Sequence, residues 1–255
     1  MESRRSLELR MSYIKEQMKK LPHGSFGSVR GRATVKISYD PFDPSVTTYN
    51  YRRYYIDSPK GRFYSPLIKE YLRYAAELKR LEAEWNIIYK IPPRNISYPL
   101  KKRRHTIFDG DFFEKAESNM NSRLIENPVP YKGMKMRSKN EMIGVQILEK
   151  FGLEYKVEPK VGDGFDVLFP DIIFNIPEQC RCAGIEIDGA IDKEQYAYKS
   201  RNRRIGYMNM DLMPGKDVIF LDIASPADFY AELFETMVKL AIEAGLDDIC
   251  FPGDQ

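Results

Sequence analysis

The chain reads as two parts, a basic α+β module followed by an α/β domain. Length, charge and the order of hydrophobic patterns predict this. At 255 residues it exceeds the roughly 100–200 residues usual for one domain. The net charge of +3 conceals a division. Residues 1–140 carry 29 Lys and Arg against 15 Asp and Glu, whereas residues 141–255 carry 11 against 22. A basic half beside an acidic half signals a polyanion-binding part joined to something else. After Ser138, helical and strand-like periods alternate, as in an α/β domain. The expected divisions are a helix/β-meander/helix module over 1–110, a linker over 111–136 and the second domain over 137–255.

Composition narrows the chemistry. A hydrophobic fraction of 43% with 30% charged residues suits a globular chain. No apolar run approaches the ~20 residues of a membrane helix. MESRRSLELRMSYIKEQMKK lacks the apolar core and cleavage site of a secretory leader, so the expected location is cytoplasmic. Cys180, Cys182 and Cys250 cannot build a disulfide framework, and Cys-Arg-Cys without a second Cys or His pair nearby is not a zinc motif. With only His23 and His105 available, hydrolytic chemistry falls to carboxylates and hence to a divalent metal.

Residues 2–20 read as a charged helix ended by Leu21-Pro22-His23-Gly24. SVRGRATVKISY (28–39) and TTYNYRRYYI (47–56) are β-branched and aromatic. They predict a hairpin or three-stranded meander. Over 65–90, Leu67, Tyr71, Tyr74, Leu78 and Leu81 recur at helical spacing. Residues 91–110, rich in Pro and basic residues, read as an irregular arm, and 111–136 as a short helix and a loop. Ser138-Lys139-Asn140-Glu141 is a capping box opening a helix that stops at Gly152. Strands are expected over 154–161, 165–174, 182–188 and 217–222. Helices are expected over 192–208 and over 225–245, the latter with Ser225 as N-cap and Gly245 as stop. The order is αβββαβα.

Four acids in this half stand where burial is expected. Glu141 opens a helix, Asp171 follows Pro170 inside an apolar stretch, and Glu186 and Asp188 alternate along an apolar strand. A carboxylate in a core strand costs several kcal/mol unless it is paired or binds a cation. Acids from separate elements with few local bases suggest one Mg²⁺ site. Other readings stay open: Glu141 as a capping residue only, Asp171 and Asp188 as turn acids, Glu186 as an edge-strand acid.

Residues 138–222 resemble the PD-(D/E)XK nuclease superfamily, the restriction-endonuclease-like fold. SKNE (138–141), YKVEP (155–159), PDIIF (170–174), IEIDGAIDKEQY (185–196) and PGKDVIF (214–220) carry the resemblance. More narrowly, LPHGSFG (21–27) and RSKNE (137–141) make the chain similar to bacterial proteins with an N-terminal helix, a Leu-Pro-x-Gly segment and a C-terminal nuclease-like domain. The resemblance implies an αβββαβ core and Mg²⁺-dependent hydrolysis of DNA, with Mn²⁺ as a substitute, by an endonuclease of host-defence or mobile-element type. RNA stays open as a substrate, and a homodimer is compatible with cutting both strands.

Carried over residue by residue, the resemblance makes Asp171 and Glu186 metal ligands, with the Ile187 carbonyl as a third. Glu141 would act through a metal-bound water. The lysine expected two residues after the Glu is Asp188 here. Lys199 on the following helix is the expected replacement, with Arg203 one turn on and Lys193 as an outsider. Tyr196, Lys199 and Arg203 share a helical face. Arg can offset phosphate charge but is a poor proton acceptor.

In the first half, Arg30, Arg32, Lys36, Arg52 and Arg53 lie on tyrosine-rich strands. A basic sheet backed by a helix loosely resembles the DNA-binding arm domains of phage-type integrases. Those five residues and Lys101, Lys102, Arg103 and Arg104 are the expected phosphate contacts, with Arg203 in the second half. Two other outcomes stand beside a nuclease: a catalytically degenerate relative that binds nucleic acid without cutting it, and a structural α/β protein that binds none.

Overall fold

The computed structural model describes residues 3–94, 96, 100–163, 167–189, 192–225 and 229–251. The chain is mixed α/β and divides into two compact units, Ser3–Pro99 and Leu100 onward. No described helix is long and apolar enough to cross a membrane.

The first unit runs α1 (Arg4–Lys19), β1 (His23–Val29), β2 (Arg32–Tyr39), β3 (Arg52–Tyr55) and α2 (Pro59–Ile88). The strands form an antiparallel sheet in sequence order. Arg30 and Gly31, at φ 50° and 78°, supply the two left-handed residues of the tight β1–β2 turn. The first strand starts at His23, so the segment expected only to break a helix already belongs to the sheet. Val35 and Ile37 alternate onto one face and pack with Val46 and Ile68. Leu7, Met11 and Ile14 pack against Tyr74, Leu81 and Trp85. Helix α2 starts under a Ser58 cap, whose Oγ accepts the Gly61 N–H at 3.1 Å. A Cβ on Gly61 would lie 1.9 Å from the Tyr55 carbonyl oxygen, so only glycine permits the close approach of strand and helix.

The second unit runs α3 (Gly110–Lys115), β4 (Val129–Tyr131), β5 (Met134–Met136), α4 (Lys139–Lys150), β6 (Tyr155–Val157), β7 (Ile172–Ile176), β8 (Arg181–Gly189), α5 (Glu194–Asn209), β9 (Val218–Ile223) and α6 (Ala231–Gly245). The main sheet has the order β6-β7-β8-β9. β6, β7 and β8 are antiparallel, and β9 returns parallel to β8 after the α5 crossover. One face packs Ile172, Phe174, Ile185, Ile219 and Leu221 against Val145 and Leu148 of α4 and Phe234 and Val238 of α6. The other packs Ile173, Cys182 and Val218 against Phe108, Phe113, Tyr207 and Leu212.

Three expectations change here. The stretch 100–136, expected as the end of the first module and a linker, folds into the second unit. Phe108 and Phe113 enter its core, and residues 129–136 form a hairpin turned by Lys132 and Gly133 at φ 48° and 82°. The basic run 101–104 is not wholly a solvated arm. Lys102 bridges to Ile249, its Nζ donates to the Cys180 carbonyl, and the Arg103 N–H donates to the Asp248 carbonyl at 2.7 Å. Arg104 Nη1 pairs with Asp217 at 2.7 Å. A run of four cations suggests solvent by itself; the acids that take it up lie more than a hundred residues along. Helix α6 begins at Ala231 rather than behind Ser225, and Tyr230 at the cap position makes no side-chain cap bond. The expected strand start at 165–166 lies outside the described residues.

Buried Asp217 accepts from Arg104, from Arg181 Nη1 at 3.2 Å and from the Met213 N–H at 2.8 Å. Arg181 is itself buried. Removing the Asp217 charge strands it, a loss of about 3 kcal/mol or more. Urea unfolding of Asp217→Asn should show that loss. A change within about 0.5 kcal/mol, usual for surface substitutions, would mean that the network contributes nothing.

Candidate active site

The alternation of strand side chains builds the site. In β8, Cys182 faces α5, so Glu186 and Asp188 face it too. In β7, Ile173 faces α5, and Asp171, two residues earlier, continues that face where the strand begins. Helix α5 crosses above and presents Ser200, Arg203 and Tyr207 at helical spacing.

Glu186 is fully buried. Its Oε1 accepts from the Tyr207 hydroxyl at 2.6 Å and its Oε2 from Arg203 Nη1 at 2.6 Å. Burial pushes its carboxyl up to about 7, against the pull of Arg203 and Tyr207. Asp171 Oδ2 accepts the Ile187 N–H at 2.7 Å. Burial, and then the charges of Glu186 and Glu141, hold its carboxyl well above the usual range. Asp188 accepts from Ser200 Oγ at 2.5 Å and from Arg203 Nη2. The residue in the expected lysine position is therefore tied to the base on the next helix.

Glu141 performs its capping role and also reaches the cluster. Its N–H donates to Ser138 Oγ at 3.1 Å, and its carboxylate accepts the Arg137 N–H at 2.8 Å. Burial, with the Glu158 charge adding to it, raises its carboxyl. Glu158, quoted in the YKVEP match but given no role from sequence, is buried and left-handed at φ 45°. Its N–H donates to the Asp171 carbonyl at 3.0 Å, and its carboxylate binds Arg137 Nε and Asn121 Nδ2. Such a backbone costs about 1 kcal/mol or more, and these bonds hold it. An acid between a strand and Pro159 was the available signal. Ser200 gave none beyond its place beside the α5 stripe.

A cleft of about 450 Å³ opens beside Asp188. Tyr196, Lys199, Asn202, Arg203, Asp188 and Arg123 are among its lining. The helical face carrying Tyr196, Lys199 and Arg203 does point at one place. Arg203 reaches the carboxylates, while Lys199 stays exposed with its Nζ 5.5 Å from the Tyr196 ring centre. Lys193, the outsider, sits at the α5 cap position without a side-chain cap bond.

In the first unit, Lys36 pairs with Arg53 across β2 and β3, and Thr34 with Tyr55. These residues and Arg32 lie on the face opposite Val35 and Ile37. Neither Lys36 nor Arg53 forms an ion pair among the described residues. Tyr51 lies under both, 4.2 Å from Lys36 Nζ and 5.7 Å from the Arg53 guanidinium. Arg32 is paired with Asp57 at 2.7 Å. Arg52, opposite Ile37, belongs to the other face and binds Asn50 at 2.6 Å. Arg30 sits in the turn. The five expected contacts thus do not form one surface.

Among the described residues, no group of three His, Cys, Asp or Glu side chains is placed to hold a metal ion. Mg²⁺ asks for less, since one or two carboxylates suffice when water and substrate phosphate complete the octahedron. Asp171 and Glu186 are such a pair. Asp171 Oδ1 has no hydrogen-bond partner among the described residues, and a carboxylate with two donors keeps further lone pairs. The donor chemistry fits. No family model, curated protein or solved structure matches the chain.

The raised Glu186 carboxyl makes stability depend on pH. Between pH 4.5 and about 7 the unfolded chain has lost a proton that the folded chain keeps. This contribution to stability therefore falls as pH rises through that window, by at most about 3 kcal/mol. In EDTA, Glu186→Gln should lose less stability than wild type between these pH values in urea titrations. Parallel losses would contradict the assignment.

Proposed function

We propose that the second unit is a divalent-metal-dependent nuclease with a restriction-endonuclease-like core that hydrolyses phosphodiester bonds in DNA. One observation carries the reading. Asp171, Glu186 and Asp188 share one sheet face, under a crossover helix that brings Arg203 onto two of them. The strand order supports it, three antiparallel strands followed by a parallel fourth.

Asp171 and Glu186, with the Ile187 carbonyl beside them, would hold Mg²⁺ or Mn²⁺, which supplies Lewis acidity at a phosphate and lowers the pKa of water. Arg203 offsets negative charge at the acids and at an incoming phosphate. Lys199, at the cleft mouth, orients a water or a phosphate oxygen. Glu141 and Glu158 position Asp171 and the cleft wall. Lys36 and Arg53 face each other across strands, an arrangement that like charge disfavours. A phosphate backbone would relieve that repulsion and supply a salt-sensitive contact.

A second reading, a nucleic-acid binder that does not cut, is favoured by the same Arg203. Its guanidinium already sits between Glu186 and Asp188 and supplies the positive charge that a metal would bring.

A plasmid-nicking assay with Mg²⁺ or Mn²⁺ separates them. Wild type should cut, and Asp171→Ala and Glu186→Ala should each lose activity by about 100-fold or more, the several kcal/mol such an ion supplies. Lys199→Ala should slow turnover more than Lys193→Ala. Undiminished cutting by either acid variant would refute the site. No cutting, with salt-sensitive DNA retention, would select the second reading.

A further inference from the structure

The cleft lined by Asp188 and Arg203 carries more than a place for a phosphate. Its volume of about 450 Å³ falls in the range of small-ligand pockets, roughly 300–1,000 Å³. That accommodates a nucleotide. Val167, Leu168 and Phe169 supply an apolar wall, and Tyr196 an aromatic ring left 48% exposed. Leu168 is fixed from behind, since its backbone bonds both ways with Val161 at 2.9 Å and its side chain packs on Gly206 of α5.

Charge and hydrogen-bonding capacity sit at the rim. Neither the Arg123 guanidinium nor Lys199 Nζ forms an ion pair among the described residues, although acids are plentiful in this unit. Arg123 is held in place through its backbone instead. Its N–H donates to Asn121 Oδ1 at 3.1 Å, and its carbonyl accepts from Arg137 Nη2 at 2.9 Å. Arg137 and Asn121 are both anchored on buried Glu158. The loop is thus fastened so that a cationic side chain lines the cleft without an ion-pair partner among the described residues. Asn121 is committed to these bonds, whereas the Asn202 amide has no partner among the described residues.

We propose that this cleft receives one unpaired nucleotide of a DNA strand, its base stacked on Tyr196, its edge read by Asn202 and its phosphate held by Arg123 and Lys199. The inference rests on the nuclease reading for the reaction but not for binding. It makes single-stranded DNA, or an unpaired nucleotide in a branched or frayed duplex, the preferred substrate class. Every base has a π face, so stacking on one tyrosine is tolerant of sequence. A base inside a duplex would first have to be unstacked and unpaired.

The test reads binding, so that it does not depend on turnover. Fluorescence anisotropy with labelled oligo-dT, the corresponding oligo-dT/oligo-dA duplex and an oligo-U of equal length would be measured in EDTA on the full chain. The expected order is single-stranded DNA at least about 10-fold tighter than duplex, since only an unpaired base can stack on the tyrosine ring. Tyr196→Ala should remove most of that preference, Tyr196→Phe should keep it, and Arg123→Ala should weaken single-strand binding. Equal affinity for single strand and duplex, tighter binding of oligo-U than of oligo-dT, or a preference untouched by Tyr196→Ala would overturn the proposal. A duplex-cutting enzyme with no strand preference would overturn it while leaving the nuclease reading intact. Tyr196-dependent single-strand binding without cleavage would uphold it and sink that reading.

Discussion

Burying carboxylates inside an apolar sheet is the constraint around which the second unit is arranged. Glu186 lies fully enclosed on β8, and Asp171 stands at the start of the neighbouring strand. Isolated in such surroundings, each would lose its charge or destabilise the fold. The chain meets this by laying α5 across the same face. Tyr207 and Arg203 donate to Glu186, Arg203 and Ser200 to Asp188, and the Ile187 N–H to Asp171. The compensation is incomplete. The charge of Glu158 adds to the raised proton affinity of Glu141 and Glu186, and those of Glu141 and Glu186 to that of Asp171, while among the described residues the guanidinium of Arg203 is the one cation that pairs with Glu186 and Asp188. A site left short of positive charge is one that binds a cation, takes up protons or attracts a residue to fill it.

The same incompleteness links packing to function. The fold fixes the acids rigidly, because β7 and β8 are central strands and the crossover helix is locked onto them through Tyr207. Lys199 and Arg123 at the rim form no ion pair among the described residues. Arg137 and Glu158 hold the Arg123 loop against the end of β6, so one buried acid fixes the Asn121–Arg123 wall of the cleft. The Asp217 network, which joins Arg104 and Arg181, performs the structural version of the same task on the far side of the sheet, with its charges matched.

Much of this was legible in the sequence, for physical reasons. Acids alternating with isoleucines over 185–188 can only lie on one face of a strand, and the Ser138 box announces its helix through a local bond. The α5 stripe from Tyr196 to Tyr207 follows from helical spacing. What was not legible depends on contacts between distant segments. Nothing local shows that Arg104 meets Asp217 or that Phe108 and Phe113 enter the second core, whereas strand alternation by itself sets Arg52 and Arg53 on opposite faces. The hairpin at 129–136 was obscured by prolines that suggest a loop, although Lys132-Gly133 is a turn signal. Glu158 was passed over because its conformation is left-handed, which its sequence neighbours do not advertise. Lys199 was preferred to Arg203 on chemical grounds, and the structure brings Arg203 to the carboxylates.

Burial raises the proton affinity of both Asp171 and Glu186, so a cation that binds them must displace protons. Titration calorimetry with Mn²⁺ near pH 6.5, repeated in two buffers of different ionisation enthalpy, tests it most directly. Carboxylates must lose their protons to bind a metal. Mn²⁺ should bind with proton release, and both should be abolished in the Asp171→Asn/Glu186→Gln double variant. Absence of binding to the wild-type chain, or binding without proton release that survives in the double variant, would contradict it.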